Sequence, residues 1–337
     1  IIRPRFSGSL IVLACMCLLQ NAHAASIQRW QTAEGTTIYL AERHELPILD
    51  ITVQFKGAGG ADNINSANIA KAVTNMLTSG TKELDEEALN DRSNELAATF
   101  DSSDGIGSSS LSMRILSNNE RFNKAVQLMN DMIARPRFDA AVLKRNQDQD
   151  VTALKQMESQ PNYQGWRTLT LLNYPDHPYG WRAKANESAI RSVTPKDMHA
   201  YHRSHYALDN AAVLVVGNAD RRLAEKIAAA ALAGLPAQSQ IKAELPTVPQ
   251  HLGQYKNIPF ANIQQTIVMM GLPLVQRKDP DYVALTIGNY ILGGGSFDSR
   301  LMKVLRDQHG LTYGASSNLM PMQQKGPSSI SFSTEKA

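Results

Sequence analysis

An α+β fold in two units is what this 337-residue sequence predicts. Short runs that alternate apolar and polar residues, as strands do, are interleaved with runs of helical period. A stretch with four prolines, Leu235–Pro259, interrupts the chain about two thirds of the way along. Beyond it, strand-like and helix-like runs resume. Hydrophobic residues make up 43% of the chain and charged residues 19%, which is globular composition. The length suffices for two hydrophobic cores. The formal net charge is only +3, and no basic run is interleaved with aromatics, which argues against a nucleic-acid surface.

The chain opens on a segment that reads as an export signal, predicted over 1–24. Arg3 and Arg5 precede an apolar run, Leu10–Leu19, and Ala22-His23-Ala24 suits a signal peptidase. The run is shorter than the ~20 residues of a membrane span, so no stable insertion is expected. Cys15 and Cys17 are the only cysteines and both lie in this leader. The exported chain is therefore expected to use no disulfide, relying on its core, and a bacterial periplasm fits.

The elements follow in order. Thr36–Leu40 is a predicted strand. Ile48–Phe55 is another, with Leu49, Ile51, Val53 and Phe55 on one face and Asp50, Thr52 and Gln54 opposite. A glycine-rich turn, Lys56–Asp62, leads to a helix capped by Asn65 or Ser66 and ending near Ser79-Gly80. Glu86–Leu96 is helical. Thr99–Ser103 and Ser108–Ile115 form a hairpin with Asp104-Gly105 in its turn. Helices are expected at Asn119–Ala134, Asp139–Gln156, Asn162–Leu172, Pro195–His205 and Asp220–Leu232. Tyr174–Trp181 reads as a rigid aromatic loop and Ala211–Val216 as a strand. In the second unit Gln264–Gly271, Leu311–Asn318 and Ser328–Thr334 read as strands. Tyr282–Leu292 and Ser299–Arg306 read as helices, with Gly293-Gly294-Gly295 between them.

Several segments, in this order and at these distances, resemble the pitrilysin-insulysin (insulinase-like) metallopeptidases. They are the helix Asn68–Leu77 with Ser79-Gly80-Thr81, the loop Tyr174–Gly180, and the run from Ser192-Val193-Thr194-Pro195 through Tyr206–Asn210 to Val213–Asn218. Two more follow the linker, Ile291–Leu301 and Leu305–Tyr313. The resemblance implies tandem homologous domains, each a mostly antiparallel sheet with helices packed on it. The first would occupy 25–235, a linker 236–258, and the start of a second domain, short of its full length, 259–337. It also implies two half-shells that close around a peptide. In some bacterial members the halves are separate chains, one with zinc and one with an arginine-tyrosine pair, and this sequence resembles the second kind.

Family peptidases hold zinc with two histidines at i and i+4 of a helix, with a glutamate at i+3 as general base. Those positions share one face, so both histidines reach one metal. Here they are Lys71, Thr74 and Asn75. Lysine repels a cation, and the other two are weak neutral donors. The family's third ligand, a glutamate on a later helix, corresponds by resemblance to the stretch Val151–Leu154, where Thr152 and Ala153 stand. Asp148 and Asp150 nearby are expected on a solvated helix face. No zinc is therefore expected in this chain. The plain reading of Lys71, Thr74 and Asn75 is an ordinary helix face, and the other reading is a remodelled site for a peptide or partner. His199, His202 and His205, spaced by threes, are expected as surface or capping residues, and His177 in packing or a hydrogen bond.

Arg306 and Tyr313 are seven residues apart. A helix ending after Arg306, a turn at Gly310 and a strand carrying Tyr313 would bring both to one rim. Arginine offers a rigid fork of donors that stays charged, and a tyrosine hydroxyl can donate to an oxyanion. The resemblance assigns this pair catalytic roles in trans, at zinc held by a partner. Spacing alone allows a plainer reading, in which Arg306 pairs with Asp307 or Asp298 and Tyr313 packs across strands. Arg300, Gly294, Gly295 and His309 are candidates for substrate contact. The strand Ile48–Phe55, taken as an edge, is a candidate for pairing with an extended peptide. The mature chain has no cysteine, and no serine sits in a Gly-x-Ser-x-Gly elbow.

The expected role is thus a catalytically incomplete subunit that pairs with a zinc-bearing homologous subunit and contributes substrate and transition-state contacts to peptide hydrolysis. A non-catalytic peptide-binding or scaffold protein is the alternative. A self-sufficient zinc metalloendopeptidase is opposed by the absent ligands.

Overall fold

The computed structural model describes residues 26–118, 120–241, 245–249, 253–261 and 263–335. The expected leader, with Cys15 and Cys17, lies outside the described residues, as does Asn119 at a predicted helix start.

The first unit is built on strands β1 (Ile27–Gln31), β2 (Thr37–Glu42), β3 (Ile48–Lys56), β4 (Thr99–Gly105), β5 (Ser108–Leu116) and β6 (Ala211–Gly217). They form one sheet in the order β1-β2-β6-β3-β5-β4, antiparallel except for the parallel pair β2–β6. Alternation decides which face is which. Leu49, Ile51, Val53 and Phe55 are fully buried, together with Ile38, Leu40, Leu111, Met113, Val213 and Val215. On the opposite face polar groups meet across strands. Arg114 donates from Nε and Nη2 to both oxygens of Asp50 at 2.6 and 2.8 Å, and the hydroxyls of Thr52 and Ser112 lie 2.9 Å apart.

The helices of this unit follow, several of them covering the apolar face. They are α1 (Ser66–Met76), α2 (Glu86–Glu95), α3 (Phe122–Ala134), α4 (Ala140–Glu158), α5 (Pro161–Asn173), the short α6 (Pro178–Trp181) and α7 (Glu187–Arg191), α8 (Pro195–His205) and α9 (Arg221–Ala231). Val73 and Met76 of α1, Met129 and Ile133 of α3, Met198 of α8 and Ile227 of α9 share one core with the strands. Thr194 and Asp197 start α8 with a reciprocal capping box. In the second unit β7 (Gln265–Val275), β9 (Gly326–Glu335) and β8 (Ala315–Leu319) form an antiparallel sheet in that order. Helix α10 (Tyr282–Asn289) runs on into a π-helical turn, Tyr290–Gly294, and a second π-helical stretch spans Met302–Gln308. The α+β class and the mostly antiparallel sheets agree with the sequence.

Five expectations are corrected. The strand Ile48–Phe55 is not an edge, because β6 returns from the end of the unit and pairs on its open side. The first sheet's edges are β1 and β4. The β4–β5 strands run through Asp104 and Gly105, which pair with Ser109 and Ser108, so the turn falls at Ile106-Gly107. Part of the aromatic loop is helical, since His177 accepts the Tyr179 N–H and caps α6. The predicted strand Leu311–Asn318 begins only at Ala315, leaving Tyr313 in a loop. His202 and His205 are buried rather than superficial. Strand β1 and helix α7 carry too little apolar pattern to have been foreseen.

The two units touch. Helix α5 packs on β7, with Gly165 against Met269. The Tyr174 hydroxyl donates to Lys325 O at 3.1 Å, and the Tyr179 hydroxyl accepts from the Gln324 N–H at 2.9 Å. His177 Nε2 donates to Pro246 O in the linker at 2.8 Å, which leaves Nδ1 bare to accept the cap. Its role in packing and hydrogen bonding is as expected. Burial lowers its pKa and raises those of both tyrosines.

Candidate functional site

The helix face where family peptidases hold zinc is here closed by other chemistry. Lys71 Nζ donates to Asp150 Oδ1 of α4 at 2.9 Å. Thr74 is fully buried and points into the protein: its hydroxyl oxygen lies 2.9 Å from Ala70 O and 2.7 Å from Ser109 Oγ, which lies 2.7 Å from the Tyr206 hydroxyl. Three protons serve three bonds, running toward Ala70 O. Burial pushes the Tyr206 pKa up to about 12. Asn75 is exposed.

The residues therefore do not fit zinc. One candidate ligand is a cation already paired, one is buried in a hydroxyl chain, and one is a neutral amide. Among the described residues no group of three or more His, Cys, Asp or Glu is placed to hold a metal ion. One detail departs from the sequence reading. The α4 residue that faces Lys71 is Asp150, not Thr152 or Ala153. Thr152 is exposed and its hydroxyl turns back to Asp148 O at 2.8 Å. Ala153 lies near the site but has no donor. Asp148 is on a solvated face as expected, paired with Lys144 and Arg191.

Around this face is a cavity of about 330 Å³, lined from α1 by Lys71 and Asn75, from α4 by Asp150 and Leu154, and by Asp104 and Arg182. Arg182 Nη1 lies 2.7 Å from Asp104 Oδ2 and its Nη2 donates to Gly105 O at 3.2 Å. Nothing in the sequence singles out Asp104 and Arg182, because Asp104-Gly105 has the composition of a turn and no local pattern ties it to Arg182. The glycine turn before α1 exists for packing: a Cβ on Gly59 would sit 2.3 Å from Gly105 O and Ser108 N of the β4–β5 hairpin. Neither histidine of α8 that is buried is free for a metal. His202 Nε2 donates to Ile133 O at 2.7 Å, and His205 is held by Tyr201 O at 2.9 Å and Asp62 Oδ2 at 2.6 Å.

Arg306, on the second unit, lies in a π-helical stretch, its guanidinium 5.1 Å from the Phe297 ring centre. It pairs with neither Asp298 nor Asp307. Tyr313 is 83% exposed, and its hydroxyl has no hydrogen bond among the described residues. No side-chain bond joins Arg306 to Tyr313. Both are presented on the surface of the second unit, with Arg300, His309 and Gly294 also exposed and Gly295 half-exposed. Gly293 has a packing role, since a Cβ there would lie 2.5 Å from Ser317 N of β8.

The profile of a family described as "Peptidase M16 inactive domain" matches residues 192–337. A Helicobacter pylori protein described as "Non-peptidase homolog YmxG" is 26% identical over 295 residues, which is 87% of this chain and 67% of the relative. The crystal structure of a peptidase M16 inactive domain from Pseudomonas fluorescens superposes with a TM-score of 0.86 at 31% identity, over 92% of this chain and 74% of that one. The periplasmic protease PqqL of Escherichia coli shares the fold, with a TM-score of 0.77 at 21% identity, and is covered over only 34% of its length.

Proposed function

The chain belongs to the peptidase M16 family, in its inactive branch, and from that premise we propose that it is the zinc-free half of a two-chain peptidase. It pairs with a homologous subunit that holds zinc, and its second unit offers Arg306 and Tyr313 to the peptide bound there. Arg306 holds a peptide carbonyl or terminal carboxylate, and the Tyr313 hydroxyl donates to the oxyanion that develops as the peptide bond is attacked. Arg300, His309 and the Gly294-Gly295 turn contact the peptide beside them. With β3 interior, the free edge near the α1 face is β4, where an extended peptide would add by backbone pairing. The reading includes export to a bacterial periplasm, for which the leader-like 1–24 is the support.

The observation that carries this reading is the state of Tyr313: a large aromatic, 83% exposed, with its hydroxyl unbonded. Nothing among the described residues uses its hydroxyl. The test mixes the protein with a zinc-bearing homologous subunit and an unstructured peptide. Turnover is expected only in the mixture, and Tyr313→Phe should lower it about a hundredfold while the complex still forms. Equal turnover by the zinc subunit with and without this chain would overturn the proposal.

A further inference from the structure

The cavity beside α1 has the composition of a ligand site rather than of a packing defect. Its lining includes the buried apolar residues Met76, Leu143 and Leu154, and two ion pairs, Lys71–Asp150 and Arg182–Asp104. Neither pair exhausts its members. Lys71 has three N–H donors and uses one, on Asp150 Oδ1. Among the described residues no donor reaches Asp150 Oδ2. The Lys71 and Asp150 side chains are 42% and 37% exposed, so both remain reachable. Arg182 Nη1 is within ion-pair distance of Asp104 Oδ2 without hydrogen-bond alignment, and that oxygen is left with no hydrogen bond. On the α1 wall the side-chain amides of Asn68 and Asn75 have no partner among the described residues.

We infer that this cavity binds a short peptide with both termini free, by meeting its carboxylate with Lys71 and its α-ammonium with Asp150. The wall carries two positive and two negative groups. A ligand with one charge of each sign adds a partner to both, whereas a ligand with a single charge would leave one sign of the wall opposed. The amides of Asn68 and Asn75 suit the peptide bond between the termini, and the apolar part of the lining takes a side chain. A volume of about 330 Å³ stands at the small end of ligand pockets, which fits about two residues and not a folded loop. This site needs no partner subunit, and its success or failure is independent of the role of Arg306 and Tyr313.

The experiment is calorimetric titration of the full chain with alanyl-leucine, with N-acetyl-alanyl-leucine and with alanyl-leucine amide. Saturable binding of the free dipeptide is expected, with each blocked form at least about tenfold weaker. Lys71→Met and Asp150→Asn should each abolish binding, while Thr152→Ala, on the far side of α4, should leave it unchanged. If the three ligands bind alike, or if none binds at about 10 mM, beyond the millimolar range where a few charged contacts would register, the inference is wrong. The comparison of ligands stands even if a variant fails to fold.

Discussion

Tyr206 anchors the hydroxyl chain that holds Thr74. Its hydroxyl, Ser109 and Thr74 form a buried chain that ends on Ala70 O. Thr74 stands where active relatives have their general base, yet it faces the sheet and not the cavity. Tyr206→Phe removes one proton from that chain and leaves a buried oxygen short of a partner, which costs about 1–3 kcal/mol. Urea denaturation of the variant should show that loss, and an unchanged midpoint would mean the hydroxyl chain carries no stability. By contrast the Lys71–Asp150 pair is half-exposed, and pairs of that kind contribute at most about 1 kcal/mol. The identities of Lys71, Thr74 and Asn75 were legible in the sequence, but their different fates were not. Position on a helix says which residues share a face, and it does not say that Thr74 will find Ser109 from a strand thirty-five residues away.

At the scale of elements, the turn Tyr290–Gly294 is held against β8 by close backbone approach. A Cβ on Gly293 would meet Ser317 N at 2.5 Å and Leu301 Cδ1 at 2.7 Å, and a backbone atom cannot yield as a side chain can. Gly293→Ala is expected to destabilise by about 1–3 kcal/mol and to speed hydrogen exchange of β8. Gly314→Ala, which meets nothing within 4 Å, is the matched control and should be neutral. A melting point for Gly293→Ala equal to that of the control would refute the packing argument. Strand β3 was readable from its alternation alone, and all four predicted inward residues are buried. Its place in the sheet was not readable, because alternation records burial on one face and says nothing of the neighbours on either side.

For the whole molecule two buried histidines, His202 and His177, contribute to the response to acid. His202 stacks on Tyr206, with ring centres 4.6 Å apart, and burial pushes its pKa down to about 4 from an ordinary 6.5. Burial lowers that of His177 too. His202 is held neutral by burial, and His177 must leave Nδ1 bare to accept the Tyr179 N–H, so each folds in its neutral form. The unfolded chain therefore takes up protons first. Stability is full above pH 6.5 and falls as the pH drops toward 4, by up to about 3 kcal/mol for His202 alone. Melting temperatures between pH 7 and 4 should trace this fall, and His202→Gln should flatten it. A wild-type profile as flat as the variant's would contradict the assignment. Protonation of His177 would remove the Nδ1 acceptor that caps α6 and leave its Nε2–H bond to Pro246 O in place.

What the sequence by itself determined is the loss of zinc chemistry on α1 and the α+β class. Both depend on side-chain identity and local period, which are properties of the chain before it folds. What only the tertiary structure decided is that Asp150 faces Lys71, that Asp104 and Arg182 share their cavity, and that β4 rather than β3 is the free edge. These depend on contacts between parts far apart in the chain, β6 pairing with β3 and Asp150 of α4 meeting Lys71 of α1. Such long-range closures are selected by the burial of the whole core, and no short stretch of sequence encodes them.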